Sequence, residues 1–344
     1  MPVIGLDLGK HSFRAVELEE KRDKAVITHY GTFENPRLNL DSEKPESTEL
    51  YASAIRDFFT EVGFSTSRVV LGLEENNIFM RTIKIPEMSE KDLSKSIRYE
   101  AEQNIPLPLD KVRLSYQKLD KDLQDKTKMN VQIVAAKKDI LNSHVDLIKK
   151  ANLTPVSIEP QTFAMSRALI ENPTSSAGTI ILDVGFSNSF IVISYGGHVR
   201  FTRTLATGGD SITKSLQQDL GLDYMQAEEY KRTYGLNESH FNGKVYNVIK
   251  PVVDGIIVEI KRASIFFTNN NPGVNIKRVI IAGGTALMPE FLPYLAANLD
   301  LEVELANPLR NLEISSKLAQ KKDTLIETAP LYSVATGLAL KGLK

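Results

Sequence analysis

An aspartate that ends an apolar strand one residue before a glycine sets a carboxylate at the mouth of a sharp turn, and this chain has that arrangement twice. IGLDLGKHSFR begins at Ile4 and IILDVGFSNSFIVI at Ile180, each running strand, Asp-x-Gly, polar corner, strand. Gly9 and Gly185 lack a Cβ, so backbone N–H groups of the two corners can approach phosphate oxygens from opposite sides. Asp7 and Asp183 would face those phosphates and hold Mg²⁺ through its waters, because that ion dehydrates reluctantly. A third segment, VIIAGGTALM from Val279, puts Gly283-Gly284 between a strand and a helix start. There the chain can pass close to an adenosine or α-phosphate, and a helix N-terminus supplies positive potential. Each segment alone is ordinary turn chemistry. Their order, with a long helix ahead of the last, implies a nucleotide held between two similar halves. No G-x-x-x-x-G-K-[ST] loop is present and no G-x-G-x-x-G follows a strand, which excludes P-loop and dinucleotide-fold readings.

Such a cleft needs two supporting cores, and a chain of 344 residues is long enough for two domains. Its 42 basic and 43 acidic residues balance, leaving no field for nucleic acid or an anionic bilayer. With no cysteine there is no disulfide, thiolate metal site or cysteine nucleophile. Five histidines lie scattered without ligand spacing. No secretion signal opens the sequence and no run approaches the roughly 18 apolar residues of a membrane span, so a cytoplasmic protein is expected.

Strand patterns at 4–8, 13–18 and 25–33 lead across a polar gap at 35–45 to a helix near 48–62, where Leu50, Ala54, Phe58 and Val62 form one apolar stripe. Segments 69–73 and 78–85 flank Asn76-Asn77 and are expected to pair. Ser89 with Asp92 opens a helix whose apolar line is Leu93, Ile97 and Ala101. Alternating prolines at 105–109 fix an extended path that suits a buried turn or a groove wall. Strands at 113–119 and 131–136 flank a solvated charged hairpin at 120–128. A helix at 140–151 and a strand at 155–158 follow. In the second half, Gly208-Gly209-Asp210 enters a helix, Asp223-x-x-Gln226 caps another, and 245–267 reads as one long helix despite Pro251.

The two Asp-x-Gly hairpins and the later Gly-Gly turn resemble the motifs of the actin-like ATPases, the group of actin, the heat-shock chaperone ATPases and FtsA. IRYEAEQNIPLPLDKVRLSYQKL from Ile97, the preceding IKIPEMSEKDL and RFTRTLATGGDSIT from Arg200 resemble the type IV pilus assembly protein PilM family, in order along nearly the whole chain. The resemblance implies an α/β, actin-like two-domain ATPase fold of duplicated RNase H-like subdomains, with an FtsA/PilM-type α+β insertion in the first domain. The expected boundaries are 1–86 and 156–176 for the first domain, 87–155 for the insertion, and 177–328 for the second domain, with helices at about 214–274. A connecting helix at 329–344 returns to the first domain.

The resemblance also implies ATP with Mg²⁺ as ligands, and a phosphate-binding set of Asp7, Gly9, Lys10, Asp183, Gly185, Ser187, Asn188, Gly208 and Gly209. Arg14 stands where many members carry a phosphate-reaching lysine, and Glu259, Lys261 and Arg262 lie on the helix that usually flanks the adenine. The implied partner is the N-terminal cytoplasmic peptide of a PilN-type inner-membrane protein. It would dock in a groove between the first domain and the insertion, walled by Ile97, Ala101, Ile105, Leu107 and Leu109. A link to the pilus motor ATPase complex and membrane contact only through the partner follow from the same resemblance, with a homo-oligomer left open.

Lys10-His11 in the first corner and Phe186 in the second replace the family's usual small residues, so nucleotide binding is expected with weak or absent hydrolysis. Two alternatives stand beside this reading. One is an FtsA-like membrane-associated filament protein, against which the end at 338–344, without an amphipathic membrane helix, sets an expectation. The other is a sugar or acid kinase, which needs a carboxylate base that cannot be placed outside the phosphate loops.

Overall fold

The computed structural model describes residues 1–9, 11–34, 45–121, 125–172, 175 and 177–343, the side chains of 45–47 excepted. Lys10, nearly all of the polar gap at 35–45 and residues 122–124 of the charged hairpin lie outside the described residues.

In the first lobe, β1 (Val3–Leu8) is buried at every position, which suits a central strand of an apolar run. β2 (Ser12–Lys21) and β3 (Lys24–Glu34) follow as an antiparallel meander, α1 (Pro45–Val62) crosses back, and β4 (Arg68–Leu73) joins β1 in parallel. The chain then leaves this sheet. β5 (Ile78–Pro86), α2 (Glu90–Asn104), β6 (Val112–Lys121) and β7 (Lys128–Lys137) build a separate antiparallel sheet in the order β5-β7-β6, with α2 packed over it. Ser89 caps α2, accepting a hydrogen bond from the Asp92 N–H. α3 (Lys138–Lys150) and β8 (Thr154–Pro160) return to the first sheet, where β8 pairs with β4.

α4 (Gln161–Leu169) carries the chain into the second lobe. There β9 (Ala177–Val184), β10 (Ser189–Tyr195) and β11 (His198–Leu205) form a meander, followed by α5 (Gly209–Leu220), α6 (Tyr224–Tyr234) and α7 (Lys244–Asn270). α7 retains Pro251 inside its span. β12 (Asn275–Ala282), α8 (Phe291–Asn298) and β13 (Glu302–Leu305) complete the sheet. β14 (Glu313–Ile314) pairs with β3, and after α9 (Lys322–Glu327) the helix α10 (Ser333–Leu343) packs on β1, β2 and α4.

The two large sheets repeat one plan, with orders β14-β3-β2-β1-β4-β8 and β11-β10-β9-β12-β13. In each, an antiparallel hairpin is followed by a strand parallel to its first member. Repetition of Asp-x-Gly in the sequence is therefore repetition of a whole sheet.

The expected pairing of 69–73 with 78–85 does not occur. β4 is buried along nearly its whole length and takes β1 and β8 as its two neighbours, whereas β5 is half exposed and pairs with β7. Asn76-Asn77 belongs to a single 3₁₀ turn, Glu75–Asn77, between the two sheets. The inserted sheet accordingly runs over 78–137 instead of starting at 87. α3, expected inside the insertion, packs Leu147 and Ile148 into the core shared by β1 and α1.

Candidate functional site

The repeated hairpins face one another. The Gly9 N–H donates to the Ser12 carbonyl at 3.0 Å, and the Gly185 N–H donates to the Asn188 carbonyl at the same 3.0 Å, so both corners close in the same way. A cavity of about 430 Å³ opens between the lobes, within the usual size of a small-molecule site. Asp7, Gly9, Arg14, Asp183, Gly185, Ser187, Asn188, Gly209, Gly283 and Gly284 line it, so the structure brings together ten of the fifteen residues singled out for the nucleotide. Gly208 lies immediately behind, tied to the second corner, and Lys10 lies outside the described residues.

Strand register explains the central charges. Asp7 and Arg14 are cross-strand partners on the β1–β2 hairpin, so both side chains lie on one face of the sheet. Asp183 holds the matching place on β9, opposite Phe190. Both carboxyls are pushed up to about 6. For Asp7 the main cause is burial, opposed by Arg14 and by the Gln161 Nε2–H, which donates to Asp7 Oδ1 at 2.8 Å, and reinforced by the charge of Asp183. For Asp183 burial again dominates and Arg14 opposes it. One guanidinium thus faces two carboxylates, and Arg14 Nε is itself buried without a hydrogen-bond partner.

The glycines leave room that side chains would fill. Gly283 has φ 86° and an added Cβ would come within 2.5 Å of Asp183 Oδ1. At Gly209 a Cβ would lie 2.8 Å from Thr285 Oγ1 and 3.3 Å from Lys231 Nζ.

The far wall was not foreseen. Glu228, Lys231 and Arg232 of α6 line the cavity, and they form a closed network. Lys231 Nζ donates to Glu228 Oε2 at 2.6 Å, to Thr213 Oγ1 at 3.0 Å and to the Gly209 carbonyl at 3.2 Å. Arg232 Nε donates to Glu228 Oε1 at 2.9 Å. Burial pulls the Lys231 ammonium below its ordinary value, and Glu228 opposes that shift. Their signal in the sequence was the i, i+3 spacing of Glu228 and Lys231, which sets both on one face of the helix capped by Asp223. Glu259, Lys261 and Arg262, expected at the adenine, do not line the cavity. Glu259 pairs instead with Arg203 and with Arg262 Nη1.

The expected partner groove is also redrawn. Ile97, Ala101 and Ile105 are buried in the core of the inserted sheet, while Leu107 and Leu109 are only partly covered. The turn that follows meets the start of α3: the Lys138 N–H donates to the Lys111 carbonyl at 2.9 Å and Lys138 Nζ to the Asp110 carbonyl at 2.7 Å. Among the described residues no three His, Cys, Asp or Glu side chains cluster as a metal site, and no helix is long and apolar enough to cross a membrane.

The family model of the type IV pilus assembly protein PilM matches residues 5–343. The chain belongs to the PilM family. A PilM–PilN type IV pilus biogenesis complex has a similar fold, with TM-score 0.84 and 24% identity over 99% of this chain and 98% of that one. MreB5 of Spiroplasma citri bound to AMPPNP gives TM-score 0.52 and 13% identity, over 98% of this chain and 95% of that one. Both likenesses show the actin-like fold. Among curated proteins, cell division protein FtsA of Bacillus subtilis (strain 168) is 20% identical over 253 residues, 67% of this chain and 58% of that protein. The PilM-family chain therefore spans less than two thirds of that relative's length.

Proposed function

We propose that this PilM-family chain is the cytoplasmic, nucleotide-binding component of a type IV pilus assembly platform, and that it binds the N-terminal cytoplasmic peptide of a PilN-type membrane protein and links it to the pilus motor. The observation that carries the nucleotide half is the convergence of Asp7, Arg14 and Asp183, from two separate lobes, on one cavity. Two buried carboxylates held by a single guanidinium are short of positive charge, and a hydrated Mg²⁺ with its nucleotide phosphates restores the balance. Arg14 has an unpartnered Nε available for phosphate. Glu228 and the Arg232 guanidinium offer an acceptor and donors for the hydroxyls of a ribose, which supports a ribonucleotide, and the family's actin-like fold favours ATP among these. The bulky His11 and Phe186 at the two corners support binding with little or no hydrolysis.

The peptide's place is the seam where the turn after the partly covered Leu107 and Leu109, at Asp110 and Lys111, meets the start of α3. β8 beside it in the fold is an edge strand and exposes Val156, which suits an extended apolar peptide. Membrane association through that partner, an effect of nucleotide on peptide affinity and any self-assembly belong to the same proposal.

Thermal unfolding tests the cleft. Asp7→Asn removes a buried carboxyl that resists ionisation, so without ligand this variant should melt no lower than wild type, yet it should lose the upward shift that Mg-ATP gives the parent. An equal shift in both proteins would remove Asp7 from the site. Calorimetric titration with a PilN-type N-terminal peptide tests the partner, and absence of binding would remove the platform role.

A further inference from the structure

We infer that His11 and Phe186 limit the length of phosphate chain this cleft accepts, so that it favours a nucleoside diphosphate over a triphosphate. The inference rests on the nucleotide reading above and names its ligand more narrowly.

His11 belongs to the corner of the first lobe and Phe186 to the corner of the second, and both line the cavity. Their rings stack face to face across the gap, with centroids 4.2 Å apart and planes within 5°. That is contact distance for two rings, so nothing passes between them. The stack closes the span between the two hairpin tips. Glu228, Arg14 and the stacked rings line one cavity, so in the pose proposed above, with the ribose at the Glu228 wall, a phosphate chain passing Arg14 would meet the stack at its far end.

Neither ring can be moved aside by a cheap backbone shift. The Asp210 N–H, in the first turn of α5, donates to the Phe186 carbonyl at 2.9 Å, and the Gly209 N–H donates to the Gly185 carbonyl at 2.9 Å. Gly208 passes so close that an added Cβ would overlap the Phe186 carbonyl oxygen. The first corner is closed by its own Gly9 to Ser12 hydrogen bond. Opening the span therefore means rotating a side chain out of the stack, which forfeits the attraction of an aromatic pair beyond its burial. A diphosphate leaves the stack intact, whereas the terminal group of a triphosphate has to break it. The difference corresponds to about two- to tenfold in affinity.

Isothermal titration of the full chain with Mg-ADP and with a non-hydrolysable Mg-ATP analogue reads this directly. Wild type should bind ADP about two- to tenfold more tightly. Phe186→Gly and, separately, His11→Ser should each bring the two affinities close together by strengthening the triphosphate analogue. Tighter or equal binding of the analogue by wild type overturns the inference, as does an affinity ratio that neither variant moves. Those results leave the nucleotide cleft standing. If wild type and both variants bind neither nucleotide, the cleft reading itself falls and takes this inference with it.

Discussion

At the scale of single residues, a fully partnered buried charge lies outside the cleft lining. Glu17 on β2 is completely buried, and burial alone would raise its carboxyl; donors from Thr28, His29 and Ser65 outweigh that and hold it below the ordinary glutamate range. Thr28 Oγ1 approaches Glu17 Oε1 at 2.5 Å, His29 Nδ1 lies at 2.8 Å from the same atom, and the Ser65 N–H donates to Oε2 at 2.7 Å. A carboxylate whose folded pKa is lowered stabilises the fold above its unfolded value near 4.5 and loses that contribution as pH falls through the folded value. Glu17→Gln should therefore cost about 2 kcal/mol at pH 7, since a charge-assisted set of donors is left facing an amide. Denaturant unfolding should show the gap between the two proteins closing below pH about 4; a gap constant with pH would mean the carboxylate is not held by these donors. Nothing in the sequence marked Glu17, because its donors come from a neighbouring strand and a loop 48 residues away. Asp7 and Asp183 were legible because their chemistry is local: a strand end, one spacer and a glycine.

At the scale of elements, α10 packs on α4 and β1 through direct backbone contact. Gly337 of α10 crosses α4 so closely that a Cβ would overlap the Ala164 carbonyl, and Gly5 of β1 meets the Ala335 carbonyl in the same way. Around that crossing, Arg167 makes two parallel hydrogen bonds to Glu159, at 2.5 and 2.9 Å, and a third to the Gly337 carbonyl at 2.9 Å. Lys341 Nζ donates to Glu159 from the other side at 3.1 Å. Helix propensity favours Ala over Gly by about 1 kcal/mol, but an overlap with backbone has no rotamer to relax into and costs about 1–3 kcal/mol or more. Gly337→Ala should thus lower the melting temperature in spite of its better propensity, and an unchanged or higher value would mean α10 can slide away from α4. The sequence showed a small-residue helix at this place and so its close packing. It did not show the 78–85 strand leaving its neighbour, because a half-exposed strand pairs equally well with either sheet and only the burial of β4 between β1 and β8 decides the matter.

At the scale of the whole molecule, the inserted sheet touches both lobes. Arg200 of β11, nearly buried, donates to Asp120 Oδ2 of β6 at 2.7 Å, and Asn130 Nδ2 of β7 donates to Asp120 Oδ1 at 3.0 Å. Gln132 Nε2 of β7 donates to the Val199 carbonyl of β11 at 2.5 Å. Glu75, between β4 and β5, accepts from Thr162 of α4 and from Thr202 of β11. Residues 120–128 read locally as a solvated hairpin, and the tie from Asp120 to a partner 80 residues on could not be read from neighbours in the chain. β11 pairs along β10, whose first residues follow the second corner of the cleft. A change in lobe angle at the cleft must therefore either carry the inserted sheet with it or break these bonds. If the peptide proposed above is held at the seam beside Leu107 and Leu109, these ties let it and the cleft share one two-state element. Arg200→Ala with Gln132→Ala should leave peptide affinity without nucleotide within about twofold, because neither residue lies at the seam and the lost ion pair is half solvated on its Asp120 side. The same double variant should bring the ratio of peptide affinities with and without Mg-nucleotide to one. A ratio equal to that of the wild type, measured by titration at matched ionic strength, would show that coupling runs through α4 and α10 alone.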